Sequence, residues 1–298
     1  MIYADWMSYI KDDAKINKIA IPGAHNAGSY GMSKQACCQD DNLYTQFLYG
    51  IRQFCIRLNT RRDGTIVLAH GLSSGVPFEN LLADIRRALD YNDTEFLILD
   101  IRRYYDQEVG PLTLKYKADS AKVDALIEKY LDPAKNAFCD FDDIGSVTMG
   151  DIRRSGKRFI LLNETKDLSY RADCECIFPW DPVVFGLKAP KFAKATVNYF
   201  DKFSTEGFYW LQTQMTPNFG TEIGIRSPRA LDEQLRPFYG EMIRDIEDNP
   251  ERLAKVNIVA GDFMSKDYLK VRKILGLNLA KGIVKDDKID EYREGLYR

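Results

Sequence analysis

Histidine is nearly absent from this chain: 298 residues contain two, His25 and His70. Any proton transfer near neutrality that relies on imidazole therefore falls to these two side chains. Long apolar runs are also missing, and no stretch approaches the roughly 18 apolar residues that a spanning helix needs. Neither sign of charge is in excess. Forty-two Lys and Arg against 44 Asp and Glu leave a net charge of −2, which argues against nucleic acid as a partner. A local patch facing an anionic membrane remains compatible with that balance. The segment Met1-Ile2-Tyr3-Ala4-Asp5-Trp6-Met7 lacks the basic start and apolar stretch of a secretory signal. The expected location is the cytoplasm or the membrane periphery, with secretion only if a leader has been removed.

The six cysteines (Cys37, Cys38, Cys55, Cys139, Cys174 and Cys176) show no trusted metal spacing. Cys174-Glu175-Cys176 has one intervening residue and no second pair or nearby His. Thiols of loops and core in a reducing compartment are expected, with lipidation or redox chemistry at Cys37-Cys38 as the alternative. Linkers, low-complexity segments and internal repeats are lacking, so residues 1–298 read as one domain.

A hydrophobic content of 45% beside 29% charged residues supplies a sizeable core. Short apolar runs recur at Lys18–Ile21, Phe54–Leu58, Ile66–Ala69, Phe96–Ile101, Arg158–Leu162, Val183–Phe185, Phe208–Leu211 and Val256–Val259. Amphipathic helical patterns lie between several of them, at Asn80–Tyr91, Ser120–Leu131, Leu231–Ile246 and Lys266–Leu275. Strands alternating with helical crossovers imply a parallel sheet. Eight of them imply an α/β fold, a (β/α)8 TIM-type barrel, irregular over Cys139–Gly156 and Phe185–Glu206. Such barrels place their active site at the carboxyl ends of the strands. Reading those ends yields His25, Arg57, His70, Arg102, Glu164, Gln212 and Asp262, whose charges need partners or a ligand in a low-dielectric centre.

The ordered motifs carry a resemblance. They are Ile21-Pro22-Gly23-Ala24-His25-Asn26-Ala27-Gly28, Gly50-Ile51-Arg52-Gln53-Phe54-Cys55-Ile56-Arg57, Leu68-Ala69-His70-Gly71, Phe96-Leu97-Ile98-Leu99-Asp100-Ile101-Arg102 and Asn257-Ile258-Val259-Ala260-Gly261-Asp262-Phe263. With Asp5-Trp6-Met7-Ser8 and Cys38-Gln39, the set resembles the phosphatidylinositol-specific phospholipase C X-domain family, in its bacterial and X-domain-only branch. The similarity is strong over residues 5–105, patchy to about 215, and resumes near 256–263. It implies cleavage of phosphatidylinositol, or of a glycosylphosphatidylinositol (GPI) lipid, at a membrane surface by a monomeric peripheral enzyme without a cofactor.

The chemistry is consistent with those residues. Cleaving a phosphodiester takes a base, a cation for the anionic oxygens and an acid for the leaving alkoxide. The resemblance assigns His25 as base on the inositol 2-hydroxyl, His70 as acid, Arg57 as the phosphate clamp and Asp262 as the carboxylate that orients His25. Read alone, each has an alternative: Arg57 as a rim partner for Glu164 or Asp100, Asp262 as a helix cap near Ser265, and Asn26 as a turn former. Arg102, Asn26, Glu164, Lys166, Gln212 and Gln214 are candidates for holding substrate. Tyr30, Met32, Leu43, Tyr44, Phe47 and Tyr49 are either interfacial aromatic and apolar groups or core.

The departures also carry information. Bacterial members place Asp after the first His, where this chain has Asn26, and an acid where it has Cys55. In calcium-using relatives the ligands fall at Cys55, Arg57 and Arg102 here, none a hard oxygen donor, so no metal is expected. Kinetoplastid GPI-cleaving enzymes share Gly-Ala-His-Asn-Ala-Gly, which keeps GPI cleavage open. Two alternatives remain: a catalytically weak inositol-lipid-binding barrel, and a metal-dependent glycerophosphodiesterase or sphingomyelinase D-like enzyme.

Overall fold

The computed structural model describes residues 2–103, 106–109, 112–178, 188–216 and 227–297. Its strands are β1 (Ile21–Ala24), β2 (Gln53–Thr60), β3 (Ile66–His70), β4 (Ser73–Pro77), β5 (Leu97–Arg103), β6 (Gln107–Val109), β7 (Leu112–Lys117), β8 (Phe159–Leu162), β9 (Cys176–Ile177), β10 (Phe208–Gln212) and β11 (Ile258–Gly261). Parallel ladders join β8, β5, β2, β1, β11, β10 and β9 in that spatial order. Helices cover the outside, among them Phe78–Tyr91, Ser120–Leu131, Ala189–Phe200, Pro228–Glu247 and Leu269–Ala280. This is a TIM-type α/β barrel, and among the described residues no ladder joins β8 to β9.

Strands buried on both faces read as unbroken apolar runs, as in the fully buried Phe159-Ile160-Leu161-Leu162 of β8. Helix ends follow local chemistry. The Asp119 side chain accepts from the Lys122 amide at the start of Ser120–Leu131, and Asp132 closes that helix with φ 47°. Thr148 and Asp151 form a reciprocal capping box on Met149–Ser155, which Gly156 ends in the left-handed region.

Two expectations change. The run Ile66–Ala69 is no parallel stave: it falls in β3, antiparallel to β2 and paired with β4 in a hairpin. Four apolar residues carry no direction, and the short Arg61–Thr65 turn returns the chain against β2. The first strand lies at Ile21–Ala24, because residues Ile16–Lys18 form a 3-10 turn and Pro22, though it lacks an amide donor, still accepts from the Arg52 amide at 2.9 Å. The two-residue β9 is too short for periodicity to reveal. The run Val183–Phe185 lies outside the described residues.

The amino-terminal end of the barrel is closed by the 3-10 segment Tyr3–Tyr9 and by a buried ion pair. Arg52 Nη2 lies 2.6 Å from Glu95 Oε2, with side-chain exposures of 0% and 1%. The guanidinium also donates to the carbonyls of Phe47 at 2.7 Å and Ala4 at 2.7 Å, and stacks 4.0 Å over the Phe47 ring. Removing one partner of such a pair strands a buried charge. We expect Glu95→Ala to lower the unfolding free energy by about 3–5 kcal/mol in urea titrations, and a loss below about 1 kcal/mol would show the pair to be dispensable.

Candidate active site

The register of β1 on β11 sets Ala24 opposite Gly261, so the next residues, His25 and Asp262, meet at the strand ends. His25 Nδ1 lies 2.8 Å from Asp262 Oδ1, and both side chains are buried. Gln39 clamps this junction, its Nε2 donating to the carbonyls of His25 at 2.8 Å and Gly261 at 2.9 Å, while its Oε1 accepts from the Met264 amide.

His70 arrives by a different route. β2 runs eight residues, well past the end of β1, and β3 returns alongside it with Leu68 opposite Leu58. Two residues further on, His70 comes down level with Ile56, close to the level of His25. The two imidazole rings stand 6.1 Å apart, nearly perpendicular at 87°. His70 Nδ1 donates to the Ala36 carbonyl at 2.9 Å, with Cys38 Sγ at 3.7 Å from the same nitrogen. A carbonyl only accepts, so His70 Nδ1 carries a proton and Nε2 is left for chemistry. With His25 Nδ1 turned to Asp262, both histidines present Nε2 as the working nitrogen.

Burial drives the His25 pKa well below its ordinary value, and the charges of Arg57, His70 and Arg102 push the same way. Burial also lowers His70; the Ala36 hydrogen bond and Asp262 oppose this, while Arg57 and Lys115 reinforce it. Burial raises the Asp262 carboxyl to about 7 against the pull of Lys270, whose Nζ donates to the Asp262 carbonyl at 2.6 Å. For this coupled pair the neutral imidazole is the state set by burial and by the nearby cations.

Arg57 lies on β2 in register with Arg102 on β5 and acts electrostatically on both histidines. Arg102 makes rim ion pairs, with Nε 2.7 Å from Asp100 Oδ2 and Nη1 3.7 Å from Glu164 Oε2. Its guanidinium also lies 4.1 Å over the Phe178 ring and 5.1 Å from the centre of the Trp210 ring. Asp262 engages His25, and no side chain caps the turn at Ser265. Asn26 is buried at φ 45°, its Nδ2 3.7 Å from Cys38 Sγ, and so shapes the turn and faces the thiol. Glu164 and Lys166 line a cleft of about 490 Å³ beside Asp100 and Phe178. Lys166 pairs there with Asp173 at 3.3 Å. Gln214 Nε2 donates to Gln212 Oε1 at 3.0 Å, and Gln212 Nε2 to the Phe178 carbonyl at 3.3 Å.

Several residues that contribute to the site were given no site role by the sequence. Ala36, Cys38 and Gln39 lie in a loop without periodicity. Lys115, 4% exposed, donates to the Gly71 carbonyl at 3.1 Å and to that of Ser73, holding the hairpin tip behind His70. The apolar and aromatic group after β1 is largely packed inward. Leu43 and Phe47 are fully buried, Tyr44 stacks between Phe47 and Arg87, and Tyr49 packs on Tyr268 at 4.5 Å. Leu72, 64% exposed between β3 and β4, is a large apolar side chain that faces solvent beside the site.

No family model matches the chain. A 110-residue segment is 29% identical to the 1-phosphatidylinositol phosphodiesterase of Staphylococcus aureus strain Newman, covering 35% of this chain and 35% of that protein. The enzyme of strain NCTC 8325 aligns likewise, over 34% of its length. The chain thus spans about a third of the curated relatives it matches. In three dimensions the phosphatidylinositol-specific phospholipase C of Listeria monocytogenes superposes with a TM-score of 0.67 at 19% identity, covering 92% of this chain and 98% of that one. A pentafluoro-Phe-containing form of the Staphylococcus aureus enzyme gives 0.69 at 16% identity over 92% and 97%. The fold is that of the bacterial phosphatidylinositol-specific phospholipases C. The expected TIM-type barrel is therefore met, with the staves redistributed as described above.

With two histidines in the chain, proton NMR resolves each imidazole directly. Both midpoints should fall below 6.5, that of His25 further, with His25→Gln providing the assignment. A depressed midpoint means the unfolded state binds more imidazole protons, so the histidine contribution to stability declines as pH falls from 6.5 toward each folded-state pKa. A midpoint above 6.5 for His25 would refute its assignment as a buried neutral base.

Proposed function

We propose that this protein is a metal-independent phosphatidylinositol phospholipase C, acting as one barrel over residues 1–298. The observation that carries this reading is the pair of imidazoles 6.1 Å apart, one backed by Asp262. Two imidazoles this close can act on the attacking and the leaving oxygen of one phosphodiester. His25 Nε2 takes the proton of the inositol 2-hydroxyl, whose oxygen attacks the adjacent phosphorus. An internal nucleophile avoids most of the entropic cost of capturing water. Arg57 offers its planar fork to the non-bridging oxygens, a geometry Lys does not reproduce. His70 Nε2–H gives its proton to the glycerol oxygen, releasing diacylglycerol and inositol 1,2-cyclic phosphate. A GPI lipid presents the same bond.

The acid arm is the weaker one, because His70 rests on a neutral carbonyl where a carboxylate would stabilise its charged form. Arg102, held by Asp100 and flanked by Phe178 and Trp210, with Glu164 and the Gln212–Gln214 pair, borders the inositol side. Cys55, Arg57 and Arg102 supply no hard oxygen for calcium. In excess EDTA, phosphorus NMR should show the strained cyclic ester first and the monoester later. His25→Ala and His70→Ala should each slow this by at least about 10²-fold, and Arg57→Lys should also fail. Both histidine pKa values are lowered, so the optimum should lie on the acid side of 6.5. Monoester from the first time point would exclude internal attack.

Membrane contact at the periphery belongs to the same proposal. No helix among the described residues is long and apolar enough to cross a bilayer. Leu72 stands two residues from His70 at the hairpin tip, beside Gly71 at φ 52°. Dipping this side chain into the lipid boundary would bring the site mouth to the headgroups. Leu72→Asp should weaken binding to phosphatidylinositol vesicles in sedimentation assays severalfold. Turnover of a monomeric short-chain lipid should fall much less; equal losses on both substrates would remove Leu72 from the interface.

A further inference from the structure

Cys38 sits at the centre of the cluster, and the proposed reaction does not use it. Its Sγ is 3.7 Å from His70 Nδ1, from Asn26 Nδ2 and from the Ala36 carbonyl oxygen. One ligand atom from each of His25, Cys38 and Asp262 lies within 4.8 Å of the others, and all three residues are buried. From this geometry we infer that His25 Nδ1, Cys38 Sγ and an Asp262 carboxylate oxygen form a binding site for a thiophilic divalent cation of the zinc type, and that its occupancy switches the active site off.

The donor chemistry selects the ion. A sulfur ligand favours zinc, cobalt or cadmium over calcium or magnesium. One thiolate and one carboxylate together cancel a charge of +2, the condition for holding an ion where dielectric is low. Around a zinc ion such ligands stand roughly 3–4 Å from one another, so contraction of the cluster by about an ångström suffices. Three protein ligands leave a fourth coordination position open. The surrounding contacts already orient each donor: Gln39 holds the His25 carbonyl, Lys270 the Asp262 carbonyl, and Asn26 faces the sulfur. Asn26 is a second, independent sign. It is 0% exposed, its Nδ2 faces the sulfur, and its Oδ1 has no hydrogen-bond partner.

Binding involves no electron transfer. The metal displaces the Cys38 thiol proton to solvent, and neutral His25 keeps its single proton by moving it from Nδ1 to Nε2. An Nε2 that bears a proton no longer accepts one, so the base is lost. The inhibition rests on the role proposed for His25; the binding does not.

Cobalt is the probe. Titrating the intact protein with Co2+ should give one equivalent of tight binding and a thiolate-to-cobalt charge-transfer band, both displaced by Zn2+. Cys37→Ser should keep the band, and Cys38→Ser should abolish it while circular dichroism shows the fold retained. Should Cys38→Ser fail to fold, Asp262→Asn provides the second arm, keeping the band but weakening Co2+ by at least about tenfold. Zn2+ should also inhibit phosphatidylinositol cleavage, with EDTA restoring it. Absence of a one-to-one band in the unaltered protein, or its survival in Cys38→Ser, overturns the site. A band in a protein that never cleaves the lipid leaves the site standing and removes the proposed function instead.

Discussion

The parallel pairing of β1 with β11 is the constraint on which the site depends. It joins residues 237 positions apart and makes His25 and Asp262 neighbours through backbone register alone. Slipping that register by one residue would turn one side chain away from the other. The pairing tolerates little bulk: a Cβ on Gly23 would meet Gln53 Oε1 at 2.4 Å and Ala260 Cβ at 3.0 Å. Gln39 then ties both strand ends to one side chain, so backbone and side-chain hydrogen bonds enforce the same geometry.

The second histidine depends on excess length. Had β2 stopped where β1 does, no antiparallel return would exist, and His70 would sit above the rim with nothing opposite. The eight-residue strand lets β3 come back down, and the buried Lys115 fixes the hairpin tip by bonding two of its carbonyls. The same descent puts Leu72 at the solvent edge beside the site. Acid residue, hairpin anchor and exposed apolar tip are thus consequences of one strand outlasting its neighbour.

This explains what was legible in the sequence. His25, Arg57, Arg102 and Asp262 each follow or end an apolar run, and in a parallel barrel run ends converge; their grouping needs only periodicity. His70 was found by that rule although its strand is antiparallel, because the rule sees where a run ends and not which way it points. Cys38 and Gln39 lie in a loop, where no period links sequence position to space, so their contacts with both histidines emerge only in three dimensions. The aromatics after β1 carry both meanings in sequence. Their inward packing is decided by the helix Leu43–Leu48, which turns Leu43 and Phe47 into the core.

The electrostatics of the site point in one direction. Burial and Arg57 depress both imidazoles, which suits a base and handicaps an acid. On the proposed reading, the bound phosphate resolves this conflict. An anionic phosphodiester seated on Arg57 cancels the positive field that Arg57 exerts on His70, and adds negative charge where the protonated form of His70 benefits. The acid would therefore regain its proton when substrate arrives, in a site whose own carboxylate is committed to His25. Among the described residues no carboxylate hydrogen-bonds His70, whose partner is the Ala36 carbonyl, and on this reading the substrate itself supplies the further negative charge.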